Sequence, residues 1–306
     1  MQANYNIPVL FLIFNRPDCT QKVFDVISKL KPTKLFIAAD GPRQGRNEDE
    51  LCTETRAIVN NITWDCEVST LFREENLGCK DAVSDAIKWF FNQVEYGVIL
   101  EDDCIPEYSF FKYCQELLIK YKDDERVGMI CGRNDYAQKT DYSYNFSTAG
   151  SIWGWASWQR VIAHYDENNI ELLTDFKKNI YEATFDKFER NRLYHQLRWS
   201  LTGTLNTWDY QLHAQLKLNS MLYIIPKTNL IENIGFGDNA THTTSTEHRA
   251  HKPVKALSFP LLHPKWILPN RKLSKEIVRA DSNNFLIWSY IILMDKVKRV
   301  KRNFIL

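Results

Sequence analysis

The chain has 306 residues, of which 44% are hydrophobic and 13% aromatic, enough to build a substantial core and too apolar for a disordered chain. Its 39 lysines and arginines nearly cancel its 38 aspartates and glutamates, so no global field draws it to nucleic acid. The seven cysteines are odd in number, lie between Cys19 and Cys131 and contain no CxxC pair, which argues against a disulfide framework or zinc ribbon and for reduced thiols in a cytoplasmic protein.

The opening MQANYNIPVLFLIFNRP has no basic leader and no small-residue cleavage site, and its apolar run stops after Phe14, so it reads as a strand and export is not expected. From Pro8 to about Arg133, strands and helices alternate. Strands are predicted over 7–14, 34–40, 66–72, 96–100 and 127–132, with helices over 21–30, 48–60, 80–94 and 109–121 between them. In the 80–94 helix, Ala82, Val83, Ala86, Ile87, Phe90, Phe91 and Val94 fall at the spacing of one buried face, and Gly97 closes it. Near-continuous apolar strands between amphipathic helices predict an α/β fold with a mostly parallel sheet covered on both faces, whose ligands bind beyond the carboxyl ends of its strands.

Beyond Asn134 the pattern loosens into SIWGWASW, a helical region over 175–201, a helix in TWDYQLHAQLKL, the strand MLYIIP and a polar loop holding His242, His248 and His251. Residues 253–270 read as a proline-rich connection. The run FLIWSYIILM from Phe285 is half of the ~20 residues that a membrane span needs. Leu286, Tyr290, Leu293, Val297, Val300 and Phe304 nevertheless form an apolar stripe beside Lys296, Lys298, Arg299, Lys301 and Arg302. Such a helix suits peripheral contact with an anionic membrane, or docking on its own domain. The expected division is a domain over 1–260, with a nucleotide-binding half to about 133 and an acceptor half after it, and an extension over 261–306.

Asp40, Glu101 and Asp103 stand at or just past predicted strand ends, Glu101 and Asp103 within GVILEDDCIP (97–106). Acidic residues there can cap the next turn, but three carboxylates converging on one crevice suit Mg²⁺ or Mn²⁺ bridging protein to a diphosphate. Neither GxGxxG nor GxxxxGK[ST] occurs, which disfavours a dinucleotide dehydrogenase and a P-loop hydrolase. A sugar nucleotidyltransferase would want a glycine-rich turn where this chain has Asn15, Arg16 and Pro17.

The ordered blocks FNRP, AADGPR, ENLGCKDAV, VILEDDCIPEYSFFKY, CGRND, WGWASW, TWDYQL and GFGDNATHT resemble the N-acetylglucosaminyltransferase I family and its bacterial relatives over about 7–243. The resemblance implies a GT-A fold with a Rossmann-like mixed sheet, and a metal-dependent, inverting transferase using a nucleotide sugar, UDP-linked, with GlcNAc or a related hexose. The implied acceptor is a glycan or lipid-linked saccharide in bacterial surface polysaccharide synthesis. Arg16 and Asp40 match positions that hold the nucleotide, and Asn15 and Lys80, in the neighbouring blocks, are assigned to the donor with them. Glu101 matches the contact to the donor sugar, Asp102 to the ribose and Asp103 to the metal. Asp209 matches the general base, Gly154 and Trp155 the loop under the transferred sugar; the chain departs in having WDYQ where the family has WDDW.

One positioned carboxylate on the acceptor side is what an inverting transfer needs, and Asp209 can equally cap a helix over 210–218. Trp153, Trp155 and Trp158 are spaced so that at least one enters the core, with Trp155 beside Gly154 the candidate for the pocket wall. His242 is a candidate imidazole ligand to the metal, solvated loop histidines being the alternative. Other readings of the chain are a sugar nucleotidyltransferase and a catalytically inactive sugar-binding module.

Overall fold

Five successive apolar residues form β1 (Val9–Ile13), and all five are buried, as a strand covered on both faces requires. The computed structural model describes residues 5–136, 138–185, 187–236 and 252–280. After β1 come α1 (Pro17–Leu30), β2 (Lys34–Ala39), α2 (Asp49–Ile58), β3 (Glu67–Phe72), α3 (Gly78–Phe91) and β4 (Tyr96–Glu101). Helix α1 begins four residues before the predicted start because Pro17, with its fixed φ and missing N–H, suits the first helical turn. A short β5 (Cys104–Pro106) leads into α4 (Ser109–Lys120) and β6 (Val127–Cys131).

The looser second half supplies β7 (Tyr144–Ser147), β8 (Trp155–Trp158), α5 (Gln159–Ile162), α6 (Glu171–Ala183), α7 (Lys187–Leu201), α8 (Asp209–Leu218), β9 (Leu222–Pro226), β10 (Ile231–Asn233) and α9 (Arg271–Ala280). The single helical region predicted over 175–201 is two helices, parted where Thr184 takes an extended conformation.

One eight-stranded sheet runs in the order β3-β2-β1-β4-β8-β6-β9-β7. Strands β3, β2, β1 and β4 are parallel, with Leu12 paired to Glu101, so their carboxyl ends open on one crevice. The direction reverses at β8, which is antiparallel to β4 and β6, while β6 and β9 are parallel to each other. This is the expected α/β, Rossmann-like mixed sheet flanked by helices. Strand β8 is the WASW of the aromatic block, and all four of its residues are buried. Strands β5 and β10 pair beyond the end of β4, bringing the segment after Asn233 against Asp103.

Helices α6, α7 and α8 pack on one another around a separate small core of Leu172, Phe176, Ile180, Leu197 and Ala214. Residues 261–280, in the predicted extension, lie along the β7 edge: Pro269 bridges to Phe146, and Ser274 Oγ is 3.1 Å from Ser147 Oγ. The predicted basic terminal helix and His242 lie outside the described residues. Among the described residues no helix is long and apolar enough to cross a membrane.

Candidate active site

Beyond the carboxyl ends of β1, β2 and β4 lies a cavity of about 690 Å³ whose wall includes Arg16, Asp40, Glu101, Asp103, Trp153 and Asp209. Glu101 ends β4 and Asp102 follows, 3% exposed. The Arg16 guanidinium spans the next two carboxylates: Nη2 donates to Asp102 Oδ1, and Nη1 is 3.0 Å from Asp103 Oδ2.

Burial sets the protonation of this corner. It drives the Glu101 carboxyl up to about 8, reinforced by the charges of Asp103 and Asp102 and opposed by Arg16. Asp102 is also raised by burial, with Arg16 pulling it back. For Arg16, burial works against the charge, but Asp102 and Asp103 outweigh it and hold the guanidinium firmly protonated. At neutral pH the corner therefore carries a neutral Glu101 and an Arg16–Asp102 pair beside Asp103, and with fewer than three ionised carboxylates it repels a phosphate less.

Asp40 both lines the cavity and holds its rim. Oδ1 accepts the N–H groups of Gly41 (3.0 Å) and Leu77 (2.9 Å), and Oδ2 accepts Gly78 N–H (3.0 Å) and Asn76 Nδ2 (2.9 Å). With Asn206 Oδ1 accepting Lys80 N–H at 2.8 Å, exposed donors at the start of α3 are satisfied by side chains from elsewhere in the fold. Gly78 has φ +83°, and a Cβ there would meet Asn206 Nδ2 at 2.6 Å, so both backbone conformation and close approach call for glycine. Asn206 carries no motif of its own and was not foreseen. Lys80 turns its amine to Asn168 Oδ1 (2.7 Å) and Asn15 donates to Glu48 (3.1 Å), and neither of these two expected donor contacts is in the cavity wall.

Asp209 is the first residue of α8. The cap position falls on Trp208, so capping through the Asp209 side chain is not what the fold uses; its Oδ1 instead accepts the Thr207 hydroxyl. Trp208 is buried against Trp155, ring centroids 5.8 Å apart at 23°, and its carbonyl accepts the Tyr165 hydroxyl at 2.9 Å. Tyr165 is in turn 2.7 Å from Ser84 on α3, so the start of α8 is tied to the helix that forms the opposite wall. Burial and then the charges of Glu101, Asp209 and Asp40 push the Cys79 thiol up to about 12, a sign that these carboxylates face one space.

Trp155 is fully buried inside the sheet, and the aromatic in the cavity wall is Trp153. The two point differently because Gly154, at φ +60°, turns the chain between them. A Cβ on Gly154 would strike Ile231, so its smallness serves packing. Gly235 was also unforeseen: a Cβ there would collide with Asp103 Oδ2. Sequence offers no sign of that contact, since the β5–β10 pairing creates it.

A second cavity of about 390 Å³ adjoins the first, sharing Trp153, Asp209 and Tyr210 in its wall and extending between α7 and α8. Asp209 thus stands at the junction of two chambers.

Among the described residues, no three His, Cys, Asp or Glu side chains gather as a metal cage. The donor set fits instead a hard cation that takes one carboxylate from the protein and the rest of its oxygens from phosphate and water. A further sign of fit is Glu101 Oε1, buried with no hydrogen-bond partner among the described residues.

No protein-family model matches the chain, and no curated protein matches it. Among solved structures, a mannosyltransferase of Pyrobaculum calidifontis in complex with GDP-Man and Mn²⁺ aligns at 13% identity over 70% of each chain, with a TM-score of 0.40. An inositol-1-phosphate CTP transferase from T. maritima aligns at 11% identity over 74% of this chain and 86% of its own, TM-score 0.35. A 4-diphosphocytidyl-2C-methyl-D-erythritol synthase from Anaerococcus prevotii aligns at 10% identity over 63% and 84%, TM-score 0.32.

Proposed function

We propose that the protein is a metal-dependent, inverting glycosyltransferase moving a sugar from a nucleoside diphosphate, UDP-linked, to a hydroxyl of a glycan or lipid-linked saccharide. The observation that carries this is the position of Asp209 at the junction of two chambers, one of them closed by the Arg16–Asp102–Asp103 corner.

Asp209 accepts the proton of the acceptor hydroxyl as its oxygen bonds to the anomeric carbon from the face opposite the diphosphate. The bond from that carbon to the diphosphate oxygen breaks, and the electron pair leaves with the nucleoside diphosphate. Asp103 would hold a Mn²⁺ or Mg²⁺, which when bound would supply Lewis-acid neutralisation of that leaving group. Glu101, neutral below about pH 8, faces the donor sugar as a hydrogen-bond donor without adding charge. Asp102 is held by Arg16 on the ribose side, and Trp153 offers an apolar face between the chambers.

Supply of a lipid-linked acceptor would favour residence at an anionic membrane. Residues 252–280 carry seven lysines and arginines against a single acid, Glu276, and Leu262, Trp266 and Leu268 are each more than half exposed there. A sugar nucleotidyltransferase is the weaker reading, because α1 starts at Pro17 directly after β1 with no glycine turn to cradle a triphosphate.

The test is a panel of nucleotide sugars incubated with and without Mn²⁺ in the absence of acceptor. Slow, metal-dependent release of a nucleoside diphosphate is expected from one of them. Formation of nucleotide sugar from sugar phosphate and nucleoside triphosphate would assign the chain to the nucleotidyltransferases instead.

A further inference from the structure

The Asp40 carboxylate is spent inside the fold. Each of its oxygens accepts two N–H groups, Oδ1 those of Gly41 and Leu77 and Oδ2 those of Gly78 and the Asn76 side chain. A carboxylate has about four lone-pair sites, so none is left to accept from a ligand. Asn76 lines the same cavity with the opposite balance. Its Nδ2 donates to Asp40 Oδ2 at 2.9 Å and to the Gly41 carbonyl at 2.8 Å, which uses both amide hydrogens and fixes which end of the amide is nitrogen. Asn76 Oδ1 makes no hydrogen bond among the described residues, so it is an acceptor both held in place and unspent.

Strand order places this acceptor relative to the phosphates. Neighbouring strands lie about 4.8 Å apart, and β4, which leads into the Asp103 corner, is followed across the sheet by β1 and then β2. Asp40 directly follows β2, so it and the Asn76 amide bonded to it stand about 10 Å across the sheet from the end of β4. A nucleoside diphosphate with its phosphates at Asp103 carries its base about that far along the cavity. Phe14 and Arg43, which follow β1 and β2, wall the cavity there: the guanidinium carbon is 5.4 Å from the Phe14 ring centroid, and Glu48, 6% exposed, accepts Arg43 Nε at 3.0 Å. Arg43 Nη1 remains a donor.

We infer that Asn76, not Asp40, reads the base of the donor nucleotide: its Oδ1 accepts the N3–H of uracil, and Arg43 donates to a carbonyl beside it. Cytosine presents a lone pair at that ring position and would set it against Oδ1, leaving two acceptors facing each other unpaired. The inference rests on the nucleotide-sugar chemistry proposed above and deepens it by naming the residue that selects the base.

The test titrates the full chain, with Mn²⁺ present, against UDP, CDP and UDP methylated at uracil N3. Wild type should bind UDP about tenfold or more tighter than either of the others, the cost of an acceptor left unpaired. Asn76→Ala should bring UDP down to the affinity of its methylated form, so that the methyl group no longer matters. Equal affinity for UDP and methylated UDP in the wild-type chain overturns the inference without recourse to any variant, as does a methyl penalty undiminished in Asn76→Ala. Uracil selectivity of this kind without transfer from any uridine-linked sugar would sink the transferase proposal and leave the base assignment standing.

Discussion

Arg16 Nη1 stands 3.0 Å from Asp103 Oδ2 while Nη2 of the same guanidinium is bonded to Asp102, so one cation orders two consecutive carboxylates at the lip of a strand. Asp102 is 3% exposed, and a buried carboxylate stripped of its partner is costly. Arg16→Ala should therefore lower unfolding stability by roughly 3 kcal/mol at neutral pH in urea denaturation. Part of the loss should return below the raised pKa of Asp102, where the orphaned carboxyl becomes neutral.

Glu101 makes the stability of the chain pH-dependent in a direction opposite to that of an ordinary paired carboxylate. Its folded-state pKa, about 8, lies above the ordinary 4.5, so between those values the folded chain holds a proton that the unfolded chain has lost. Stability accordingly falls as pH rises through that window, by at most about 1.4 kcal/mol per unit. Glu101→Gln removes the term: its melting temperature should exceed that of wild type at pH 8 and match it at pH 4.5.

Asp209→Asn keeps the size of the side chain and the oxygen that accepts the Thr207 hydroxyl but removes the base. Transfer to acceptor should fall by about 10²-fold or more, with nucleotide affinity retained. Turnover at the wild-type rate would remove Asp209 from the mechanism.

A methyl group at Gly235 would overlap Asp103 Oδ2, and the carboxylate must then swing aside. Gly235→Ala should weaken nucleotide binding in the presence of Mn²⁺ and leave metal-free binding unaltered, measured by the same titration with and without the metal. The glycine lies on the surface of the cavity wall, and little change in melting temperature is expected.

Strands β1, β2 and β4 were readable from sequence because strands buried on both faces are continuous apolar runs, whereas β3, at the sheet edge, has no buried residue and is not such a run. The reversal at β8 was not readable. Four buried residues bearing two tryptophans have no period of their own, and only pairing with β4 and β6 makes them a strand. The carboxylates at the strand ends were readable for the same reason as the strands. Which tryptophan meets the cavity was not, because the positive φ of Gly154 separates Trp153 from Trp155. Asp40 proved ambiguous for a physical reason: it lines the cavity and also accepts the backbone donors at the start of α3. The polar face of α7 hid the second chamber, since a helix that buries charge shows no apolar stripe.

The central claim is that Asp103 binds a diphosphate through a divalent cation, and calorimetric titration of UDP with and without Mn²⁺ tests it most directly. Binding should be about tenfold or more tighter with the metal, and Asp103→Asn should bring it back to the metal-free value. Equal affinity in the two buffers, or a metal effect that survives in Asp103→Asn, would contradict the account.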